Sequence, residues 1–189
     1  MQADANGMTR AFIAVDIPSG IKDSIINVAK RIGADGIKAV GIEQIHITLF
    51  FLGYMSLGQI EEVKGILSRL SYGRFGVSLC GVGSFSAERP RVIFARINNG
   101  AKELNDIYEL LSPMLSKVAK LEERGFSPHV TLARLKRFDR STIEAANSFI
   151  SRYKNEDFGD FLCSEVRLKR SVLTSEGAVH SDIYVKGLG

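Results

Sequence analysis

The chain has few of the residues that stabilise extracellular and metal-binding domains. Its 189 residues include no tryptophan and only two cysteines, Cys80 and Cys163. Two cysteines are too few for a disulfide framework and fit no zinc-ligand spacing, so we expect reduced, mostly buried thiols in a cytoplasmic protein. No apolar run approaches the roughly 18 to 20 residues of a membrane span. Asp4 and the Asp-x-Pro that follows the first apolar stretch argue against a secretory signal.

The residues that are present describe a globular domain. Hydrophobic residues make up 45% of the chain and charged residues 24%, a balance typical of proteins that bury a core in water. The formal charge of +4 is compatible with a polyanionic partner but does not require one. We predict a polar N-terminal extension over residues 1–7 and a single domain over residues 8–189.

Hydrophobic periodicity predicts strands and helices in alternation. Ser19 is a candidate helix cap, while Ser56 with Gln59 and Ser141 with Glu144 have the spacing of capping boxes. The predicted helices are 19–33, 56–70, 101–121 and 141–153, and the predicted strands are 10–17, 37–40, 46–53, 74–85, 91–97, 129–135, 161–174 and 178–188.

Similar offsets recur in the two halves of the chain. Phe12 lies 34 residues before His46, Phe94 lies 35 before His129, and each cysteine follows its histidine by 34. These offsets favour an old duplication that produced two similar αβ halves. Because turns as well as helices connect the strands, we predict antiparallel or mixed sheets and an α+β fold rather than a doubly wound one.

One polar motif occurs twice within apolar strands. Residues 46–49 read His-Ile-Thr-Leu and residues 129–132 read His-Val-Thr-Leu, in a chain with three histidines and five threonines. From these counts, finding threonine two residues after two of the histidines by chance is a roughly 0.2% event, whereas a single short motif carries a high false-positive risk. In a strand, each histidine shares a face with its threonine.

Two such strands that meet across a groove would suit in-line displacement at phosphorus. An unperturbed histidine titrates near pH 6.5, so one ring can accept a proton while another donates one. Threonine hydroxyls on the same face can donate hydrogen bonds to non-bridging phosphate oxygens. The third histidine, His180, lacks a threonine two residues later, and we interpret it as a strand-surface residue rather than a third catalyst. Three histidines without clustered carboxylates or cysteines make a poor metal site.

The paired motifs resemble those of the two-histidine (2H) phosphoesterase superfamily. Within it, "RAFIAVDIP", "HITLFFLG", "RVIFARI" and "PHVTLAR" resemble segments of the RNA 2′,3′-cyclic phosphodiesterases, also called 2′-5′ RNA ligases. The resemblance implies a bilobal fold with two pseudo-symmetric lobes, antiparallel sheets along a central groove and helices outside. It implies hydrolysis of RNA 2′,3′-cyclic phosphate ends to 2′-phosphates, with weak reverse 2′-5′ ligation and no cofactor. In this reading His46 donates a proton to the leaving 3′ oxygen, His129 activates water, and Thr48 and Thr131 bind the phosphate.

Two further residues are weaker candidates for substrate binding. Arg134 matches the arginine of the family's second motif, but strict alternation places it opposite His129, so a bulge or a strand end would be needed to bring it into the groove. Phe12 is a candidate for stacking on a base, although a core position fits its strand context better. The basic runs 134–140 and 167–171 suit either an RNA backbone or a solvated strand end.

The motifs leave other functions open. A 2H phosphodiesterase for ADP-ribose cyclic phosphate or a small 2′-5′ oligonucleotide would carry the same residues, as would an RNA-binding module without turnover. We favour the RNA enzyme because binding alone does not require two proton-transfer partners. The expected partner is RNA with a 2′,3′-cyclic phosphate end, with tRNA fragments as one candidate. We expect a monomer with no membrane and no obligate protein partner.

Overall fold

Strands and helices alternate along most of the chain. A computed structural model describes residues 7–122, 125–175 and 177–189. The extension predicted for residues 1–7 therefore lies outside the described residues, except for Gly7. The elements within these ranges are β1 (Thr9–Asp16), α1 (Ser19–Ala29), β2 (Ile37–Ala39), β3 (His46–Met55), α2 (Leu57–Ser68), β4 (Phe75–Ser84), β5 (Val92–Asn99), α3 (Ala101–Leu115), β6 (His129–Leu135), α4 (Arg140–Arg152), β7 (Asp157–Cys163), β8 (Glu165–Leu173) and β9 (Ala178–Gly187).

The strands form two antiparallel sheets that join into one. The order within the described residues is β7-β4-β5-β6-β3-β1-β8-β9, with β2 paired to β6. We call β3, β1, β8 and β9 the first lobe, and β2 with β4 to β7 the second lobe. The lobes join where Ile47 of β3 pairs with Val130 of β6. The predicted α+β class and bilobal antiparallel arrangement are therefore confirmed.

Two helices pack across the boundary between the lobes. Helix α1 follows β1 of the first lobe but packs on β6 and β7 of the second, and α3 follows β5 of the second lobe but reaches β3 of the first. Ile21, Ile25 and Val28 form the buried face of α1, at the spacing of an amphipathic helix. Helix α2 packs on β9, and α4 packs on β4. In the part of the chain that the structure describes, no helix is long and apolar enough to cross a membrane.

Each histidine strand contains a β-bulge at the leucine of its motif. The partners of β3 along β1 skip Leu49, with a further skip at Leu52, and the partners of β6 along β5 skip Leu132. A bulge adds one residue to one strand and so reverses the alternation of side chains beyond it. This reversal is why Phe51 and Arg134, each five residues after a histidine, return to the face that carries the histidines.

Helix caps were only partly predictable. The box at Ser56 is confirmed, because its hydroxyl accepts a hydrogen bond from the Gln59 backbone N–H while the Gln59 side chain accepts one from the Ser56 N–H. The box predicted at Ser141 is wrong. The cap of α4 lies two residues earlier, at Asp139, whose carboxylate accepts a hydrogen bond from the backbone N–H of Thr142.

Several element boundaries also differ from the prediction. The strand predicted for 161–174 is two strands, because the chain leaves the second lobe at Ser164 and enters the first. The Ser164 carbonyl accepts a hydrogen bond from the N–H of Leu188 there. Helix α3 ends two residues after Pro113 rather than at 121, and Ser19 is the first residue of α1 without a capping hydrogen bond from its side chain.

The similar offsets of Phe12 from His46 and of Phe94 from His129 do not mark equivalent positions. Phe12 pairs with Phe51, five residues after the first histidine, whereas Phe94 pairs with Thr131, two residues after the second. The lobes are alike in strand arrangement, with β1 and β3 in one corresponding to β5 and β6 in the other. The bulges at Leu49 and Leu132 therefore mark equivalent positions in the two lobes better than the aromatic spacing does.

Candidate active site

A groove of about 1010 Å³ runs along the junction of the two lobes. Its walls come from β1, β3, β8 and β9 on one side and from β6 and the segment before it on the other. The predicted site residues all line this groove, namely Phe12, His46, Thr48, His129, Thr131 and Arg134. The structure thus brings together side chains that are up to 122 positions apart in the sequence (134 − 12).

The strand pair at the junction sets the relation between the two motifs. Ile47 and Val130 pair directly and are fully buried, so the motif residues that flank them point to the groove face. Antiparallel register then sets the histidine of each motif beside the threonine of the other. Two imidazoles and two hydroxyls therefore line the groove at the junction, each lobe supplying one of each.

A carbonyl and two aromatic rings hold His129. Its Nδ1 lies 2.7 Å from the carbonyl oxygen of Ser127, and its ring centroid lies 5.2 Å from that of Phe94 and 5.0 Å from that of Phe85. A carbonyl only accepts, so Nδ1 carries the hydrogen and Nε2 of the neutral ring keeps its lone pair. Burial lowers the pKa of His129, the Ser127 carbonyl opposes that shift, and the charge of Arg134 adds to it.

Ring packing surrounds His46. Its centroid lies 4.9 Å from that of Phe12 and 5.2 Å from that of His180. Burial, followed by the charge of a protonated His180, lowers the pKa of His46 to about 3, although the nearby Asp16 carboxylate acts in the opposite direction. The free protein at neutral pH therefore holds both motif histidines as neutral rings.

His180 is a groove residue rather than a separate surface residue. It is half-buried, its Nδ1 lies 3.2 Å from the carbonyl oxygen of Glu43, and its centroid lies 4.8 Å from that of Phe12. Burial also lowers its pKa. Local sequence patterns do not indicate this position, because β9 is three strands from β3 in the sheet and only the curl of the sheet brings the two together.

Phe12 is only 4% exposed, although its ring lines the groove. Two other phenylalanines are much more accessible there: Phe51 is 48% exposed and Phe85 is 59% exposed. Sequence reasoning missed both. Phe51 reaches the groove only because of the bulge at Leu49, and Phe85 follows the end of β4, where periodicity carries no information.

An ion network lies beside the first histidine strand. Lys169 is only 8% exposed, and its Nζ donates to Asp16 at 2.9 and 3.0 Å and to Asp182 at 2.6 Å. Arg167 pairs with the same two carboxylates and with Glu165. Asp16 pairs in register with His46 on the neighbouring strand. These cations of the run 167–171 are therefore neutralised by carboxylates, which favours the structural interpretation of that run.

The other basic run is divided between surface ion pairs and the groove. Arg137 pairs with Asp35 and with the cap of α4, and Arg140 pairs with Glu144. Arg134 instead lines the groove, where the bulge at Leu132 brings it. In the ranges 7–122, 125–175 and 177–189, no three histidine, cysteine or acidic side chains gather in a way that could hold a metal ion.

Comparisons with known proteins agree with the motifs. The family described as "AKAP7 2'5' RNA ligase-like domain" matches residues 19–180. The RNA 2',3'-cyclic phosphodiesterase of Archaeoglobus fulgidus is 33% identical over 181 residues, covering 93% of this chain and 98% of that protein. The protein of the same name from Methanocaldococcus jannaschii is 31% identical over 175 residues, covering 92% and 98%.

The fold is also similar to that of a solved structure. The crystal structure of E. coli LigT complexed with 3'-AMP gives a TM-score of 0.80 at 19% identity, covering 96% of this chain and 98% of that one. At this identity the likeness concerns the fold alone. Sequence similarity over nearly the full length and the two motifs at the lobe junction together show that this chain belongs to the RNA 2′,3′-cyclic phosphodiesterase family of the 2H phosphoesterases.

Proposed function

We propose that the protein hydrolyses 2′,3′-cyclic phosphate ends of RNA to 2′-phosphates without a metal ion. The observation that carries this proposal is the junction of β3 and β6, where the histidine and threonine of both motifs line one groove. Relatives that share about a third of the sequence carry the name of this activity. A single RNA end would place its cyclic phosphate at the junction.

His129 is the proposed general base. Because its Nδ1 hydrogen is held by the Ser127 carbonyl, Nε2 is free to take a proton from a water molecule. The water oxygen then forms a bond to phosphorus while the bond from phosphorus to the 3′ oxygen breaks. His46 donates a proton to that leaving oxygen, and the 2′-phosphate remains.

The charge of the substrate adjusts the protonation of the rings. His46 has a pKa of about 3 in the free protein, which is too low for a proton donor at neutral pH. An adjacent phosphate anion favours the charged imidazolium and raises the pKa of the ring. We therefore expect His46 to take up its proton as the substrate binds, so that the acid form exists only in the complex.

The remaining groups of the junction bind the phosphate. The hydroxyls of Thr48 and Thr131 donate hydrogen bonds to the non-bridging oxygens, and Arg134 adds a fixed positive charge with a forked donor. Phe12 supports the His46 ring by packing against it, since so little of its surface is accessible to a base. The reverse reaction, in which a 5′-hydroxyl attacks the cyclic phosphate to form a 2′-5′ linkage, follows from microscopic reversibility. We expect it to be weak and to need no cofactor.

The cellular setting follows from the same proposal. RNA fragments with cyclic phosphate ends are the expected substrate, with tRNA fragments among the candidates. We propose that the protein works in the cytoplasm. We also propose that it works as a monomer, since one chain supplies both histidines of the groove. Residues 8–189 would form one catalytic domain.

The test is hydrolysis of a short RNA that ends in a 2′,3′-cyclic phosphate, with EDTA present and with the product isomer identified. Wild type should form the 2′-phosphate, while His46→Ala and His129→Ala should each lose about two to four orders of magnitude in kcat. Arg69→Gln, which removes an exposed charge from the end of α2, is the matched control and should retain full activity.

Other results would point to a different function. RNA binding without turnover by wild type would favour the binding module. Turnover of ADP-ribose cyclic phosphate or a 2′-5′ oligonucleotide in place of the RNA end would favour another 2H phosphodiesterase. A 3′-phosphate product would contradict the assignment of the leaving oxygen.

A further inference from the structure

One arginine in the groove has no part in the mechanism above. Arg10 lies on β1, on the same strand face as Phe12, and lines the groove. It pairs in register with Tyr54, whereas Ala14 pairs with Thr48. Arg10 therefore lies four residues along β1 from the level of the reacting phosphate, about 13 Å at the rise of a strand. An arginine side chain spans part of this distance, which leaves room for one nucleoside.

The guanidinium of Arg10 has hydrogen-bond donors available for an anion. In the described ranges, its one hydrogen bond from the side chain goes to the hydroxyl of Ser171, at 3.3 Å, and it forms no ion pair. By contrast, Arg137, Arg140 and Arg167 each pair with one or more carboxylates. A half-buried guanidinium beside a neutral hydroxyl suits a phosphodiester, which needs a fixed cation and hydrogen-bond donors.

An accessible aromatic ring lies between Arg10 and the junction. Phe51 is 48% exposed, lines the groove and follows Thr48 along β3. A flat ring at this place can stack on a nucleobase of any identity. The groove thus presents, in order along the first lobe, the phosphate ligands of the junction, an aromatic platform and a cation.

We propose that Arg10, Ser171 and Phe51 form a subsite for the terminal nucleoside, which carries the cyclic phosphate, and for the phosphodiester that joins it to the rest of the RNA. Phe51 stacks on the base of the terminal nucleoside, and Arg10 with Ser171 binds the phosphodiester on its 5′ side. This inference rests on the proposed function and makes it more specific. The subsite selects the end of an RNA chain over a free nucleoside 2′,3′-cyclic phosphate, because a free nucleoside has no phosphodiester at that position.

The experiment compares three substrates that share the reacting group. They are adenosine 2′,3′-cyclic phosphate, the dinucleotide ApA with the same cyclic end, and that dinucleotide with a neutral methylphosphonate linkage. One charge-assisted contact to phosphate is expected to raise kcat/KM for the dinucleotide about tenfold over the mononucleotide. The methylphosphonate should lose that advantage, since it keeps the second nucleoside but removes the charge.

Variants assign the advantage to the subsite. Arg10→Gln should reduce the ratio of dinucleotide to mononucleotide kcat/KM to near one. On the methylphosphonate, the same variant should cause no further loss of kcat/KM, because the variant and the neutral linkage remove the same interaction. Phe51→Leu should lower kcat/KM for all three substrates, because each carries the stacked base. Arg69→Gln removes the same charge outside the groove and should leave the ratio at its wild-type value.

Product binding tests the subsite separately from turnover. Calorimetry should show that the 2′-phosphorylated ApA product binds more tightly than adenosine 2′-phosphate, and that Arg10→Gln removes the difference. Equal kcat/KM for the mono- and dinucleotide in wild type, or an equal loss on both in Arg10→Gln, would overturn the subsite while leaving the proposed function intact. Failure of wild type to hydrolyse any of the three substrates would refute the proposed function instead. If the product affinities were then also equal, the subsite would be refuted with it.

Discussion

The low pKa of His46 predicts a measurable loss of stability in acid. In the folded protein this pKa is about 3, mainly because the ring is buried, whereas an unfolded histidine titrates near 6.5. Below pH 6.5 the unfolded chain therefore binds a proton that the folded protein refuses. Stability is lost as the pH falls from the unfolded value toward the folded one.

The size of the effect follows from these two values. For a single ring with a pKa of about 3 folded and 6.5 unfolded, the free energy of unfolding decreases by about 2.5 kcal/mol between about pH 7 and about pH 4.5. His46→Gln removes this titration and should lower stability at neutral pH through lost packing. The difference in stability between wild type and variant should therefore shrink by about 2.5 kcal/mol over that range.

Urea unfolding followed by circular dichroism at several pH values measures this difference. Other acid-sensitive groups, including His129 and His180, whose pKa values are also lowered, occur in both proteins and so largely cancel. A stability difference that stays constant with pH would refute the reasoning, because it would mean that the His46 ring is as easily protonated in the folded protein as in the unfolded chain.

The other predictions concern stability and reactivity. Lys169→Met should lower the free energy of unfolding by about 2 kcal/mol, because it removes one of the two cations that pair with the partly buried carboxylates of Asp16 and Asp182. Thermal melts test this, and an unchanged melting temperature would contradict it. Gly81→Ala should lower the free energy of unfolding by at least about 2 kcal/mol, since Gly81 has a φ of +81° and a Cβ there would lie 2.3 Å from the Lys154 carbonyl oxygen. Urea titration measures this change, and wild-type stability in the variant would contradict it. Burial raises the pKa of the Cys163 thiol to about 11, so iodoacetamide at mildly alkaline pH should modify the half-buried Cys80 first, and faster labelling of Cys163 by mass spectrometry would contradict this.

Local patterns predicted those parts of the structure that local physics determines. The motif strands, the four helices and the box at Ser56 follow from periodicity and from hydrogen bonds that span three residues. The cap of α4 was wrong because Asp139 offers its carboxylate two positions before Ser141, and Ser141 itself donates its hydroxyl hydrogen to that carboxylate. Competition between neighbouring polar residues cannot be settled by spacing alone.

The bulges and the curl of the sheet could not be predicted from one strand at a time. Alternation put Arg134 on the wrong face unless a bulge intervened, and the bulge at Leu132 depends on the pairing of β6 with β5. Likewise, His180 reaches His46 only through three intervening strand pairings. The groove residues that could not be predicted from sequence are those whose placement depends on the pairing of other strands.

The exchange of helices between the lobes determines how the protein can be divided. The first lobe is completed by β8 and β9 from the C-terminal end of the chain. The second lobe is covered by α1, which follows a strand of the first lobe. A fragment cut between α2 and β4 would contain one whole motif but would lack half of the sheet that holds it. The two lobes are therefore not separable modules, and the molecule should fold and unfold as one cooperative unit.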